Sequence, residues 1–410
     1  MTVSHWRAST KLGTINCEIA VIGAGVVGIS AALHLQAMGV DALLVERHSP
    51  GAGASSRNAG FLMRGAADNY ALAAAQYGRP TAKLLWTWTE DNLRMLRERG
   101  VESLPSYARR PSCLLALDPG ELEELRTSLA MLQQDGFAAS WLDRYDDDAW
   151  RAGLALGGLV NPDDAVVNPV DLLRLLVSQL KPRANGGTGL LEHQELFALD
   201  TSGPDILLRI TDGVIRCKKV LLCLNAYTRL LIPGGGTLGI AGPGALIEPN
   251  RGQMLVLDAP GNTPRLDFAY YANRGSEYFR RADDTSVVVG GCRTYHAGLE
   301  RTLDDQTTPT VQGAIESFAT RIFGPGLRIK HRWAGIMGFT PDHLPVIGPI
   351  APAGGVEPDE RVWICGACTG HGMSMGHRSA LAAARGIMGI ASADENPFTT
   401  SRFENHGTPR

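Results

Sequence analysis

The chain has 410 residues, 44% hydrophobic and 20% charged, with a formal net charge of −3. That length buries a large core and fits two domains, and the charge balance excludes the basic footprint of a nucleic-acid partner. Seven cysteines, an odd number and scattered, fit a reducing compartment rather than a disulfide framework. Residues 1–16 form a polar arm whose Ser4-His5-Trp6 is expected to dock. Residues 17–22 read as a strand, followed by Gly23-Ala24-Gly25-Val26-Val27-Gly28, a G-x-G-x-x-G at a strand-to-helix turn. Residues 26–38 form an apolar helix, with Val27, Ala31, Leu35 and Met38 on one stripe, and 41–45 a second strand ending in Glu46. The apolar run 19–40 is broken by Ser30, His34 and Gln36, so it is not a signal or membrane segment; the expectation is a soluble cytoplasmic protein with no membrane partner.

Each element of this opening suits a dinucleotide. Gly23 permits the turn, Gly25 lets the backbone approach a pyrophosphate, and Gly28 lets the helix pack against the sheet. Val26 and Val27 begin the helix, whose free amides and positive dipole end face phosphates. Glu46, 23 positions after Gly23, accepts hydrogen bonds from a ribose diol and repels a 2′-phosphate, with Arg47 beside it. The fingerprint does not separate FAD from NAD. The small-residue loop that follows favours FAD, because it permits close backbone approach along a longer cofactor. It runs through Gly53, Ala54, Ser55, Arg57, Asn58, Ala59 and Gly60 to Leu62.

Further along, helices are expected over 67–76, 81–99 and 119–134, with a strand at 111–117. The Asp146–Asp148 run lacks metal-ligand spacing and reads as a solvated face. Asn168-Pro169 opens a helix running to Leu180. Strands are expected over 190–195, 206–211, 214–217 and 219–224, with a hairpin signal at Asp212-Gly213. Leu196 borders the first of these, and Asn225-Ala226-Tyr227-Thr228 follows the last. The stretch 233–244 is a Gly- and Pro-rich loop at a domain crossing. Residues 251–327 are strand-rich, with Tyr278 and Arg280 on one strand, SVVVGGCR on another, and an amphipathic helix over 309–323.

The C-terminal part carries RWAGIMGFTPDHLPVIGP and then VWICGACTGHGMSMG. These stretches, with the loop GASSRNAG, resemble the D-amino-acid-oxidase-like FAD oxidoreductases, the superfamily of sarcosine and glycine oxidases. The loop is most similar to the gamma-glutamylputrescine oxidase branch, as are the N-terminal arm and the NAYT segment. Gly335, Thr340, Asp342, Pro345 and Gly348 match the family's hairpin beside the flavin. Gly370, His371, Gly372 and Met373, with Gly366 just before, match its C-terminal G-x-x-G-H-G loop, whose amides stabilise a reduced flavin. Arg402-Phe403 resembles the ordered tail of related chains.

The resemblance implies an α/β Rossmann-type FAD-binding domain made of 1–62, 148–236 and 328–410. It implies a substrate-binding domain on a mostly antiparallel sheet, made of 63–147 and 237–327. Two departures bear on chemistry. Glycine-oxidase-like relatives clamp a substrate carboxylate with a hairpin arginine, where this chain has Met337. An α-amino acid would need Arg280 or Arg293 instead, and an amine without an α-carboxylate is the simpler substrate. Sarcosine oxidases attach FAD through a hairpin cysteine, where this chain has Gly335, so FAD is expected to be non-covalent.

The activity implied is amine oxidation by hydride transfer to flavin N5, giving an imine that hydrolyses to aldehyde plus amine, with O2 reduced to H2O2. Tyr278 and Trp333 are expected to wall the substrate, Met337 to shape its pocket, and His371 and Arg280 to complete the site. A dehydrogenase passing electrons to a carrier or quinone is the first alternative, because the lysine that oxygen-using relatives carry is valine in SVVVGGCR. A non-catalytic flavoprotein subunit is the second. No metal site is expected, and Cys365-x-x-Cys368 lacks the second ligand pair that zinc needs. A small-residue strand entering the flavin loop, rather than a redox dithiol, accounts for that pair.

Overall fold

The computed structural model describes residues 12–66, 68–146, 149–231, 247–259, 264–351, 357–390 and 396–403. The Ser4-His5-Trp6 arm, the 233–244 loop and part of the Asp146–Asp148 run lie outside them.

The first sheet is a Rossmann-type layer. Its strands run in the order Val346–Ile350, Asp359–Gly366, Gly213–Leu222, Gly13–Ile22, Ala42–Val45 and Leu190–Leu191. Of these six, all but the first are mutually parallel, and Ile206–Ile210 and Leu196–Asp200 add an antiparallel extension to Gly213–Leu222. Ile19–Ile22 and Ala42–Val45 are buried along their whole length, as central parallel strands covered on both faces must be. The helix Val26–Ala37 is buried at every position from Val26 to Leu35, because the helix Gly372–Ile387 covers the side the sheet leaves open. A Cβ on Gly376 would stand 3.1 Å from Val26 and 3.2 Å from Val27, so a small residue sets the helix spacing. Residues 214–217 and 219–224, expected as two strands, form the single strand Gly213–Leu222. Lys218 and Lys219 interrupt its apolar pattern but not its pairing, since Cys17 faces Cys217 and Ile19 faces Lys219 across the ladder.

The second sheet is antiparallel except where Ala269–Ala272 runs parallel to Ser112–Ala116. Its order is Ile329–Phe339, Glu248–Asp258, Ser286–Gly291, Glu277–Asp283, Ala269–Ala272, Ser112–Ala116, Gly157–Asn161 and Ser140–Asp143. The helix Pro309–Phe323 buries Val311, Ile315, Phe318 and Ile322 against it, the stripe its 3.6-residue period predicts. Two strands fall in this sheet although the sequence groups them with the cofactor unit: Gly157–Asn161, within 148–236, and Ile329–Phe339, within 328–410.

Three helices cover one side: Tyr70–Tyr77, Arg79–Glu98 and Pro119–Gln134. Trp88 donates to Ser379 at 3.2 Å, so that tryptophan is packing. Buried Asn92 donates to the Met373 carbonyl at 3.0 Å and accepts from the His377 and Arg378 amides at 2.9 and 3.0 Å. These bonds pin the start of the last helix. Near the C-terminal end, Arg402 donates to Asp342 at 2.7 Å and Phe403 is buried.

Candidate active site

A cavity of about 880 Å³ runs between the two sheets, within the usual range for a ligand pocket. Its first end is built by the opening motif. Gly23 has φ +100°, and a Cβ there would stand 2.7 Å from the Cys223 carbonyl oxygen. Gly25 is the extended cap of the first helix and supplies no side-chain cap. The start of the helix borders the cavity, which Gly25, Val26 and Val27 line. Ser55 Oγ accepts from the Val26 amide at 3.0 Å, holding the loop beside the helix start. Glu46 accepts from the Ala24 and His48 amides at 2.8 and 2.9 Å, which fixes its carboxylate at the end of the second strand. Arg47 stacks over the Tyr227 ring at 4.4 Å, and Leu196 lines the same end. A helix start whose own cap residue, Gly25, has no side chain, a fixed acid and side-chain-free approach at Gly23 and Gly25 fit a dinucleotide.

The loop after Gly53 is self-folded. Asn58 donates to the Ala54 and Ser55 carbonyls at 3.1 and 2.9 Å and accepts from the Gly60 amide at 2.7 Å. Arg57 pairs with Asp305 at 2.5 Å and donates to the Ala334 carbonyl at 3.1 Å. Both residues line the cavity, but their polar groups serve the loop's shape. The loop crosses the strand Ile329–Phe339 at Gly335, where a Cβ would stand 2.9 Å from Arg57 Cβ.

The middle of the cavity is lined by Gly335, Met337, Asn225, Gly366, Gly370, His371, Gly372 and Met373. Ala367, Thr369 and Gly370 hold positive φ angles of 53°, 46° and 81°, a strained turn that presents backbone rather than side chain. His371 follows it. Its Nδ1 lies 3.2 Å from the Thr369 carbonyl, a geometry that makes Nδ1 the donor and leaves Nε2 unprotonated in the neutral ring. Burial, the largest cause, pushes its pKa below the ordinary histidine value. Cys223, Cys365 and Cys368 also line the cavity, and burial holds the Cys368 thiol up at about 12, so it stays protonated.

At the far end, Tyr271 and Tyr278 face each other across the antiparallel pair with ring centroids 5.8 Å apart. Phe61 meets Tyr271 edge-on at 5.4 Å, and Tyr271 stacks toward His371 at 6.4 Å. Burial raises Tyr278 to about 12 against the opposing pull of Arg293. Tyr278 lies flat over Gly290, where a Cβ would stand 2.5 Å from its ring.

Five expected site residues do not line this cavity. Arg280 is buried under the loop, donating to the Ala59 carbonyl at 2.6 Å and the Val167 carbonyl at 3.1 Å. Trp333 shares a strand face with Gly335 and Met337, but the crossing loop separates it from them, and its Nε1 donates to the Arg57 carbonyl at 3.2 Å. Gly60 packs under the loop with φ +70°, its missing Cβ 1.9 Å from the Val167 carbonyl oxygen. Leu62 is core beside Ala165, and Gly28 packs on Gly23. Tyr271, Tyr227, Phe61 and Asp68 line the cavity without having been singled out for the site. Alternation could have found Tyr271, since it faces away from Tyr270, which lies in the second sheet's core.

The sequence profile of the family described as "DAO: FAD dependent oxidoreductase" matches residues 18–385. The chain belongs to this family. Among relatives, it is 24% identical over 390 residues to the gamma-glutamylputrescine oxidoreductase of Escherichia coli, covering 89% of this chain and 82% of that one. It is 27% identical over 294 residues to the 4-methylaminobutanoate oxidase (formaldehyde-forming) of Paenarthrobacter nicotinovorans, covering 70% of this chain but 32% of that protein. The crystal structure of glycine oxidase from Geobacillus kaustophilus superposes with a TM-score of 0.75 at 20% identity, covering 95% of this chain and 99% of that one, which establishes the shared fold. As a DAO-family protein the chain is an FAD-dependent oxidoreductase acting on C–N bonds of amines or amino acids. Among the described residues, no helix is long and apolar enough to cross a membrane.

Proposed function

We propose that this enzyme oxidises the C–N bond of an amine lacking an α-carboxylate, with FAD held non-covalently. The observation that carries this is the continuity of one cavity from the dinucleotide cradle to a cage of Tyr271, Tyr278, Met337 and His371. Bound FAD supplies the two-electron acceptor, so that the amine leaves as an imine that hydrolyses to aldehyde plus amine, with O2 taking the electrons as H2O2.

The residues of the chain orient and dry the reacting C–N bond. Tyr271 and Tyr278 give two edge-packed rings against which an alkyl amine rests. Met337 fills the hairpin position with an uncharged, adaptable side chain. Burial disfavours the ammonium form, so the nitrogen enters its reactive neutral state at modest cost. His371 Nε2 is the acceptor available for the proton that the ammonium loses. Glycines 335, 366 and 370 leave room for close backbone approach.

A dehydrogenase is the second reading, and one observation favours it. No lysine is among the described residues lining the cavity, and the strand Ser286–Gly291 has valine where the oxygen-using relatives are expected to carry one. A peroxide assay during turnover in air separates the two. Stoichiometric H2O2 supports the oxidase; turnover that requires a quinone or dye and yields no peroxide supports the dehydrogenase.

A further inference from the structure

Four arginines line the cavity, and two of them are ion-paired: Arg57 with Asp305 and Arg274 with Glu124 at 2.9 Å. Arg47 stacks on Tyr227 at the Glu46 end, where the dinucleotide cradle lies. Arg293 lines the cavity as Tyr278 does. Among the described residues, it has no carboxylate within ion-pair distance and no hydrogen-bond acceptor. Its guanidinium rests 4.7 Å over the Phe339 ring, and the side chain is half-buried.

The backbone places it there at a cost. Gly291 and Cys292 take φ +118° and +59° in succession just before Arg293. A Cβ on Gly291 would stand 2.1 Å from the Ser276 carbonyl oxygen, so that position admits only glycine. Cys292 is a non-glycine residue in the left-handed region, a conformation that persists where surroundings enforce it. The kink turns the chain out of the strand Ser286–Gly291 and delivers Arg293 to the cavity beside Tyr278. A half-buried guanidinium with no ion-pair partner among the described residues keeps its fork of donors open to a bound anion. Met337, two residues before Phe339 on the same strand face, leaves the hairpin itself uncharged.

We propose that Arg293, with the Tyr278 hydroxyl beside it, binds a carboxylate carried by the amine substrate at a position remote from the oxidised carbon. The substrate class is then an amino-carboxylate whose two functional groups are separated by several bonds. Arg293 lines the cavity with Tyr278, and Tyr278 meets Tyr271, which stacks toward His371, so in this proposal the carboxylate docks at the Arg293 end and the C–N bond lies toward His371. This rests on the amine-oxidation reading above for its substrate, but not for its test.

The test is equilibrium binding to the FAD-loaded enzyme, followed by calorimetry and by perturbation of the visible spectrum. The probes are butanoate and its neutral isostere butyramide, used on wild type, Arg293→Gln and Arg293→Lys. Butanoate is expected to bind wild type, to weaken by about ten-fold or more in Arg293→Gln, and to be partly restored in Arg293→Lys, which keeps the charge but not the fork. Butyramide binding is expected to change by less than about two-fold, since it draws on the cage and not on the charge. Butanoate affinity equal in wild type and both variants, with FAD content intact, overturns the proposal. Failure of every amine to reduce the flavin would instead strike the amine-oxidation reading, and this binding test does not depend on it.

Discussion

A Cβ on Gly28 would stand 1.8 Å from the Gly23 carbonyl oxygen, so the third glycine of the motif touches the first. No rotamer relieves that contact, because the backbone alone fixes the Cβ and the oxygen is itself a backbone atom. Gly28→Ala is therefore expected to push the first helix off the sheet and to spoil the amide geometry at Gly25 and Val26. The variant should lose bound FAD, with destabilisation of about 1–3 kcal/mol or more from overpacking. Flavin absorbance per mole of purified protein checks it; wild-type FAD content would contradict it.

Arg280 behaves as a structural tie. Its donors go to the Ala59 and Val167 carbonyls, and burial, the largest cause, lowers its pKa to about 10. Arg280→Met removes those bonds and strands two buried carbonyls, at about 2–4 kcal/mol. Denaturant unfolding should show that loss, while the amine KM of the folded fraction stays at the wild-type value. A large rise in KM with unchanged stability would return Arg280 to the substrate.

What the sequence conveyed, and where it stopped, follows from this same loop. The cofactor cradle was legible because the motif is local: Gly23 to Glu46 forms one strand-helix-strand unit, and spacing alone orders its parts. The helix Pro309–Phe323 was legible because its stripe repeats at helical period. Arg280 and Trp333 were misplaced for a single reason. Each shares a strand face with a true lining residue, Tyr278 or Met337, and period-two alternation identifies a face but not how far along it a cavity extends. The loop 54–60 ends the cavity on both strands, through Arg57 on Gly335 and through Ala59 on Arg280. That crossing is a long-range contact with no local signature. The kink at Gly291-Cys292 that aims Arg293 was equally silent, since Cys292 is not a residue type that announces a positive φ.

Gly252 and Met337 are packed closely enough to tune the pocket. A Cβ on Gly252 would lie 2.9 Å from Met337 Cε, the far end of a flexible side chain. Gly252→Ala should thus displace the Met337 methyl into the cavity without loss of fold. KM for the bulkier amines is expected to rise by several-fold, roughly the effect of one crowded methylene, while FAD content holds. An unchanged ranking of amines by size would contradict it.

Stability should carry a pH signature from the two buried histidines between the first and last helices. His34 and His377 stack at 4.5 Å, and His377 Nδ1 lies 2.8 Å from Ser30 Oγ. Burial, the largest cause for both, holds His34 down at about 4 and His377 at about 3. The unfolded chain protonates them near 6.5, so below that pH the unfolded state binds more protons. Stability is then expected to fall as pH drops from 6.5 toward 4 and to stop falling on their account below about 3. Thermal unfolding across that range measures it. His34→Gln, which keeps a donor for the His377 carbonyl, should flatten the slope.

The most direct measurement is the visible spectrum of the purified holoenzyme, recorded anaerobically while amines and amino-carboxylates are added one at a time. The expected result is a bound oxidised flavin whose absorbance near about 450 nm bleaches with an amine in a one-to-one titration. A protein that binds FAD yet is bleached by none of these compounds would contradict amine oxidation at the Tyr271–Tyr278–His371 cage.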